Sequence, residues 1–424
     1  MKNSLLIKNG RIINPADSTD MISDMLIWDG KIEKIEKNIS NEKSIEEIDA
    51  EGCVVSPGLI DIHVHFRDPG FTHKEDIISG ALAAAAGGYT SVILMANTNP
   101  KIDSLEGLKY VQEKAKHACI NIFQEAALTH DFKETLVDMK SLFENGAVGF
   151  TNDGVAVMNT NLLREAMLKA KKLGAIIALH EEDNKLISCH GVNDGKISDI
   201  MGLSGAPRAS EDVMVARDCM LALETGATID IQHISSKNSV EIIKHLKSMG
   251  ANIIAEVTPH HFTLTEEDVL EYGTLAKMNP PLRTDDDRRR IIQGLQENTI
   301  EIIATDHAPH ADYEKNVEFK KAPSGIIGLE TALGLTITEL VKKEKLTLIS
   351  ALEKLTINPS KHYKLNRGNI AVGNVADICI FNPDEKYMVK SFKSKSSNSP
   401  FIGRELYGKV KYTICSGKIV YSDR

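Results

Sequence analysis

Two histidines one residue apart, His63 and His65, stand at the end of the apolar run in Gly58-Leu59-Ile60-Asp61-Ile62-His63-Val64-His65-Phe66-Arg67. Side chains at i and i+2 of a β-strand share a face, so both imidazoles can reach one metal ion. Arg67, two positions on, is expected on the same face, where a guanidinium can grip an anionic substrate through paired hydrogen bonds. That chemistry belongs to a hydrolase rather than to a binding module.

The elements that must position this pair set the next expectation. Apolar runs recur at Leu59–Val64, Thr90–Met95, Asn121–Ala127, Ala147–Thr151, Ala175–His180, Thr228–His233, Asn252–Val257 and Glu301–Thr305. Helix-like stretches lie between them, among them Glu75–Ala86, Leu105–His117, Asn161–Leu173, Ser210–Leu223, Val240–Met249 and Asp285–Gln296, with further helices near Gly325–Lys342 and Thr347–Leu355. Near-continuous apolar strands alternating with helices predict a parallel sheet covered on both faces. Eight such units predict an α/β fold of the (β/α)8, TIM-like barrel type, with an open doubly wound sheet as the alternative.

Both ends of the chain read differently. Asn9-Gly10 and Asp29-Gly30 lie between apolar runs as hairpin turns, and Val375–Phe381 and Tyr412–Val420 read as strands. Neither end carries many strands, so the two are expected to pair into a small composite β-sandwich domain, residues 1–55 plus 365–424, around a barrel of residues 56–364.

The polar residues fall into place on this frame. His63 and His65 end the first run, Asp153 follows the fourth, His180 and His233 end the fifth and sixth, and Asp306 follows the eighth. The C-terminal ends of parallel barrel strands share one rim, where barrel enzymes keep their chemistry. Singly, each residue has an ordinary explanation: a hydrogen-bonded core histidine, or a carboxylate in a turn. Independent structural causes would not choose one rim. Four imidazoles and two carboxylates exceed one tetrahedral site and suit two ions about 3.5–4 Å apart, bridged by a carboxylate and a hydroxide. Zinc fits these ligands best, with manganese or cobalt as alternatives. His260 and His261, after the seventh run, are expected to support the ligands; His117, His130, His190, His245 and His362 read as solvated or structural.

Bulk properties exclude other classes. With 50 basic and 59 acidic residues the net charge is −9, which argues against a nucleic-acid footprint. No apolar run is long enough for a membrane span, and no secretory h-region is visible, so a cytoplasmic location is expected. The six cysteines are scattered without a CxxC pair and read as free thiols in a reducing compartment.

Five segments carry a resemblance: Asp61–Gly70, Met95-Ala96-Asn97-Thr98-Asn99-Pro100, Val257–Phe262, Lys277-Met278-Asn279-Pro280-Pro281-Leu282-Arg283 and Ala304–His310. Over essentially its whole length the chain resembles the dihydroorotase family of the amidohydrolase superfamily, in the bacterial class whose two zinc ions are bridged by Asp. The resemblance implies His63, His65 and Asp306 on the first zinc, His180 and His233 on the second, and Asp153 and a hydroxide bridging both. It also implies Arg67, Asn97 and His310 on the substrate carboxylate, with His65, Asn279, Ser324 and Gly325 completing the substrate site. The implied reaction is the reversible cyclisation of N-carbamoyl-L-aspartate to L-dihydroorotate and water in pyrimidine biosynthesis, with Asp306 as general acid and base.

Ala96, Asn152 and Ser324 depart from the usual Pro, Asp and Phe. No Lys occurs between Lys140 and Lys169, so the carboxylated-Lys bridge of hydantoinases and most allantoinases has no residue at the end of the fourth run. The rival readings are such a cyclic amidase, and a catalytically silent scaffold that binds aspartate transcarbamoylase. A homodimer is the default assembly. The polar segment 307–323, with Tyr313, Lys315, Lys320 and Lys321, is expected to form a lid.

Overall fold

The computed structural model describes residues 4–41 and 45–423; Met1–Asn3, 42–44 and Arg424, which the composite-domain expectation includes, lie outside the described residues. Eight parallel strands follow one another around a barrel: β1 (Leu59–Val64), β2 (Tyr89–Leu94), β3 (Asn121–Ala127), β4 (Ala147–Thr151), β5 (Ile176–Leu179), β6 (Thr228–Ile231), β7 (Ile253–Val257) and β8 (Ile302–Ile303). Each pairs with the next in sequence, as short right-handed crossovers dictate. Closure comes from a bridge between Val64 and His307, where the His65 N–H donates to the His307 carbonyl at 2.9 Å. The barrel expected from the run pattern is thus borne out.

The strands are shorter than the apolar runs. β5 stops at Leu179, β6 at Ile231 and β8 at Ile303, so His180, His233 and Asp306 stand one to three residues beyond regular pairing. Release from the ladder lets the backbone turn: His233 has φ +36° and Asp306 φ +47°. Non-glycine residues rarely hold such angles, and where they do, packing or function compensates for the strain.

Helices cover the outside. The helix Ile77–Ala86 follows β1, and its Asp76 cap accepts from the Ile78 and Ser79 N–H groups in a capping box. Most expected helices appear with ends shifted by one to three residues. His362, read from the sequence as solvated or structural, ends the helix Ile357–His362. A large core packs helices on strands. A second cluster, with Ile60 and Ile62 from β1, Ile93 from β2, Ile176 from β5 and Ile302 from β8, fills the barrel interior.

The terminal strands form one mixed sheet that runs from Lys418–Ser422 through Glu405–Cys415, Ile378–Met388, Val54–Pro57, Leu5–Asn14 and Thr19–Trp28 to Lys31–Glu36. Leu5–Asn14 has a register break between Ile7 and Gly10 and gives its two halves to different neighbours, Glu46–Asp49 and Val54–Pro57. The strands therefore follow one branched hydrogen-bonded path around a separate apolar core. All six cysteines are free. Among the described residues no helix is long and apolar enough to cross a membrane.

Candidate active site at the barrel rim

His63 is fully buried, and the Nε2 of its imidazole has no hydrogen-bond partner. Around that atom lie Asp153 Oδ1 at 3.4 Å and Asp306 Oδ1 at 3.7 Å. The two oxygens of Asp153 face different neighbours. Oδ2 lies 3.5 Å from His65 Nε2, while Oδ1 lies 3.6 Å from His180 Nδ1 and 3.7 Å from His233 Nε2. These gaps are too long for good hydrogen bonds. They match the ~3.4 Å that separates donors placed ~2.1 Å from a tetrahedral ion. His63, Asp153 and His233 form one group of convergent donors, and His63, His65 and Asp306 a second. The orphaned Nε2 and the His/Asp donor set fit bound metal.

Negative charge dominates the cluster. Burial opposes protonation of His63, yet the Glu256 and Asp153 carboxylates hold its pKa well above the ordinary imidazole range. Burial likewise opposes charge on His180, but Asp153 and Glu182 push it up to about 10. Burial would raise the Asp306 pKa, but the hydrogen bond from His65 and the neighbouring imidazoles hold it below the usual carboxylate range.

Supporting groups that the sequence pattern does not single out orient the convergent donors. Glu256, on β7, places Oε1 2.5 Å from His63 Nδ1 and accepts the His233 backbone N–H at 3.1 Å, so it steadies two of the convergent histidines at once. Glu182 meets His180 Nε2 at 3.0 Å. Asp61 accepts the backbone N–H groups of His63 and Thr305, tying β1 to the segment that carries Asp306. Such partners fix tautomer and aim. Glu256 and Asp61 stand as lone acids inside apolar runs, the one sequence signal that could have found them. His261, expected to support the site, does so at one remove: its Nε2 contacts the Pro280 carbonyl at 3.0 Å, beside Asn279. Asn152 is buried and satisfied, accepting from the Leu128 and Thr129 N–H groups and donating to the Thr129 hydroxyl, so the amide acts as a neutral brace.

A cavity of about 170 Å³ opens over the donors, and every residue expected at the site except His63 lines it: His65, Arg67, Asn97, Asp153, His180, His233, Asn279, Asp306, His310, Ser324 and Gly325. Arg67 reaches it by a different route from the one expected. β1 ends at Val64, and Arg67 has φ +60°, so a left-handed turn rather than strand alternation aims its side chain. Its Nε donates to the Pro309 carbonyl at 3.2 Å, and its Nη2 lies 3.4 Å from His310 Nε2; no carboxylate pairs with it among the described residues. Asn97 spans His65 Nδ1 at 2.9 Å and Asp153 Oδ2 at 3.0 Å. The Ser324 hydroxyl donates to Asn279 Oδ1 at 3.0 Å. Gly325 has φ +126°, and a Cβ there would meet the Ala308 Cβ at 2.7 Å, so only glycine lets this loop approach the rim.

The segment 307–323 differs from the expected polar lid. Tyr313 is exposed, but Lys315 is only 4% exposed. Its ammonium donates to the carbonyls of Pro323 at 2.9 Å and Gly325 at 3.0 Å, while Lys277 Nζ holds those of Phe319 and Ala322, both at 2.7 Å. Two buried lysines thus pin the loop that ends at Ser324. Burial, with some help from Lys277, pushes the Lys315 pKa down from 10.5 to about 7. The unfolded chain then holds the extra proton between those values, so stability rises with pH across that window. From pH 7 to 9 this contribution amounts to about 2 kcal/mol. Lys315→Met is expected to flatten the rise, measured as the difference between urea unfolding free energies at the two pH values; an unchanged difference counts against the buried-cation account.

Imidazoles and carboxylates gathered on shared gaps at the C-terminal rim of a barrel are the hallmark of metal-dependent cyclic amidohydrolases, and this protein is one of them. Among solved structures, the L-hydantoinase (dihydropyrimidinase) of Arthrobacter aurescens superposes with a TM-score of 0.88 at 26% identity, covering 99% of this chain and 96% of its own. A D-hydantoinase gives 0.87 at 25%, covering 99% and 95%. Sequence relatives are nearer. The dihydroorotase of Clostridioides difficile strain 630 is 58% identical over 419 residues, 99% of this chain and 100% of its own length. That of Clostridium acetobutylicum is 55% identical, with the same coverage. The family model described as dihydro-orotase-like matches residues 52–239. The chain belongs to the dihydroorotase family.

Proposed function

We propose that this enzyme catalyses the reversible cyclisation of N-carbamoyl-L-aspartate to L-dihydroorotate and water in pyrimidine biosynthesis. The observation that carries the reading is Asp153, whose Oδ1 faces His63, His180 and His233 and whose Oδ2 faces His65, beside an Arg67 with no carboxylate partner among the described residues. The full-length similarity to enzymes named dihydroorotase supports it, as does the absence of a Lys at the end of β4.

His63, His65 and Asp306 would hold one zinc ion and His180 and His233 a second, with Asp153 shared. The pair would supply a hydroxide near neutral pH and polarise the scissile carbonyl. Arg67, with Asn97 and His310 beside it, grips the ring's free carboxylate and presents the amide to Asp306. Asn279, Ser324 and Gly325 hold the ring. Asp306, ionised at neutral pH, accepts a proton during hydrolysis and returns it to the departing ring nitrogen; in cyclisation it takes the ureido proton. The open form has two carboxylates and the ring one, so cyclisation consumes a proton.

Arg67→Met is expected to raise the KM for dihydroorotate on the order of 100-fold, since a buried charge pair loses one partner. Metal content should stay the same, and a KM within twofold of the parent would remove Arg67 from the carboxylate site. The function as a whole is tested by assaying dihydroorotate, hydantoin and allantoin on one preparation with its metal content measured. Preference for either of the latter rings overturns the reading. We take the barrel as residues 56–364 and the composite domain as 1–55 plus 365–424. A cytoplasmic homodimer is the proposed assembly, and aspartate transcarbamoylase is a candidate partner to test by co-purification.

A further inference from the structure

The segment 389–404 leaves the terminal sheet after the strand Ile378–Met388 and returns to it at Glu405–Cys415. Between those strands it runs along the barrel rim and is anchored at several points. The Ser394 hydroxyl and the Lys395 ammonium bond to the carboxylates of Glu75 and Asp76, and the Ser396 hydroxyl donates to the Lys74 carbonyl at 2.8 Å. The Lys393 and Ser394 N–H groups donate to the Glu330 carboxylate at 2.8 and 3.1 Å. This strap carries Asn398, which is 1% exposed.

The hydrogen bonds of the Asn398 side-chain amide all go to the walls of the active-site cavity. Its Nδ2 donates to the carbonyls of Ala308 and Gly325, each at 3.0 Å. Its Oδ1 accepts the His310 backbone N–H at 3.0 Å, and its own carbonyl accepts the Ile327 N–H at 3.0 Å. Ala308, His310 and Gly325 all line the cavity and come from two separate loops. No other side chain among the described residues is hydrogen-bonded to all three. We propose that Asn398 is a positioning residue for the substrate-carboxylate pocket: the terminal sheet reaches into the barrel's site and sets the spacing of the His310 and Ser324–Gly325 loops. Asn398 is hydrogen-bonded to none of the convergent metal-site donors, so its effect falls on substrate affinity rather than on metal binding.

This proposal rests on the reaction proposed above. Asn398→Ala and Asn398→Asp are prepared as full-length, zinc-loaded protein, with the parent and Ser397→Ala alongside; the Ser397 hydroxyl bonds to Asp312 on the outside of the strap. Asp keeps the size and the acceptor but replaces both donors. Buried donors and acceptors left unpaired let the loops drift, and a displacement of about 1 Å is enough to raise the KM for dihydroorotate and for N-carbamoyl-L-aspartate by roughly tenfold or more. The expected pattern is that rise in both Asn398 variants, kcat within about threefold of the parent, unchanged metal content, and a parental KM in Ser397→Ala. An unchanged KM in folded, metal-loaded Asn398 variants overturns the proposal. So does loss of fold and metal in both, which would make the residue structural. A parent that fails to turn over dihydroorotate overturns the proposed function instead.

Discussion

Asp306→Asn is expected to reduce kcat for dihydroorotate hydrolysis by on the order of 10⁴-fold, the upper range for removal of a positioned acid–base group. The substitution is isosteric and keeps an oxygen toward His65, which now lies 2.8 Å from Oδ1. It removes the capacity to take and return a proton together with one negative charge among the convergent donors, so metal content is measured alongside kcat and the variant is assayed with metal restored. In the parent that capacity is available at neutral pH, because the surrounding imidazoles keep the carboxyl ionised despite its burial. Asp306 also sits at φ +47°, and Asn tolerates the left-handed region well, so the backbone should hold. Circular dichroism and thermal unfolding should match the parent while turnover collapses in both directions. Near-parental kcat would remove Asp306 from the proton-transfer role and leave it as a ligand alone.

The second large effect belongs to Asp153. With Oδ1 facing His63, His180 and His233 and Oδ2 facing His65, its carboxylate lies against the histidines proposed for both ions. Asp153→Ala is therefore expected to weaken binding of both ions. Changes to groups that merely orient ligands cost 10–100-fold in metal affinity, so loss of a shared ligand should cost at least ~100-fold. Metal analysis after dialysis should find the variant depleted of metal and inactive, where the parent retains the two zinc ions proposed above. Full zinc content in the variant would show that the two sites do not share this residue. Asn97 sharpens the comparison: it bonds to both His65 and Asp153 without being a donor of either group, so its removal should disturb metal far less.

The barrel and its ring of donors are legible in the amino-acid sequence. Eight apolar runs of strand length, alternating with helical stretches, specify a parallel barrel because each run's burial on both faces is written in its own composition. The positions of His63, Asp153, His180, His233 and Asp306 at run ends follow from the same boundaries. A barrel places all such ends on one rim, so their convergence needs no knowledge of contacts. The missing Lys before Asp153 is likewise a local fact.

What the local pattern does not contain concerns groups that meet across the fold. Arg67 enters the cavity through a left-handed turn, not through the strand alternation that its spacing from His65 suggests. Lys315 reads as one more charge on a polar loop, and the structure buries it among backbone carbonyls. Glu256 meets His63 across 193 residues of sequence, and Asn398 meets His310 across 88. Periodicity reports which face of an element is buried; it cannot report which distant polar group will be waiting there, because that depends on barrel closure and on how the terminal sheet packs against the rim. The run-end placement of the His63–Val64–His65 pair and of Asp153, His180, His233 and Asp306 was therefore determined by the sequence itself. The aims and supports of those side chains, and the reach of the terminal strap to the cavity wall, were decided only by tertiary structure, where buried polar groups must each find a partner.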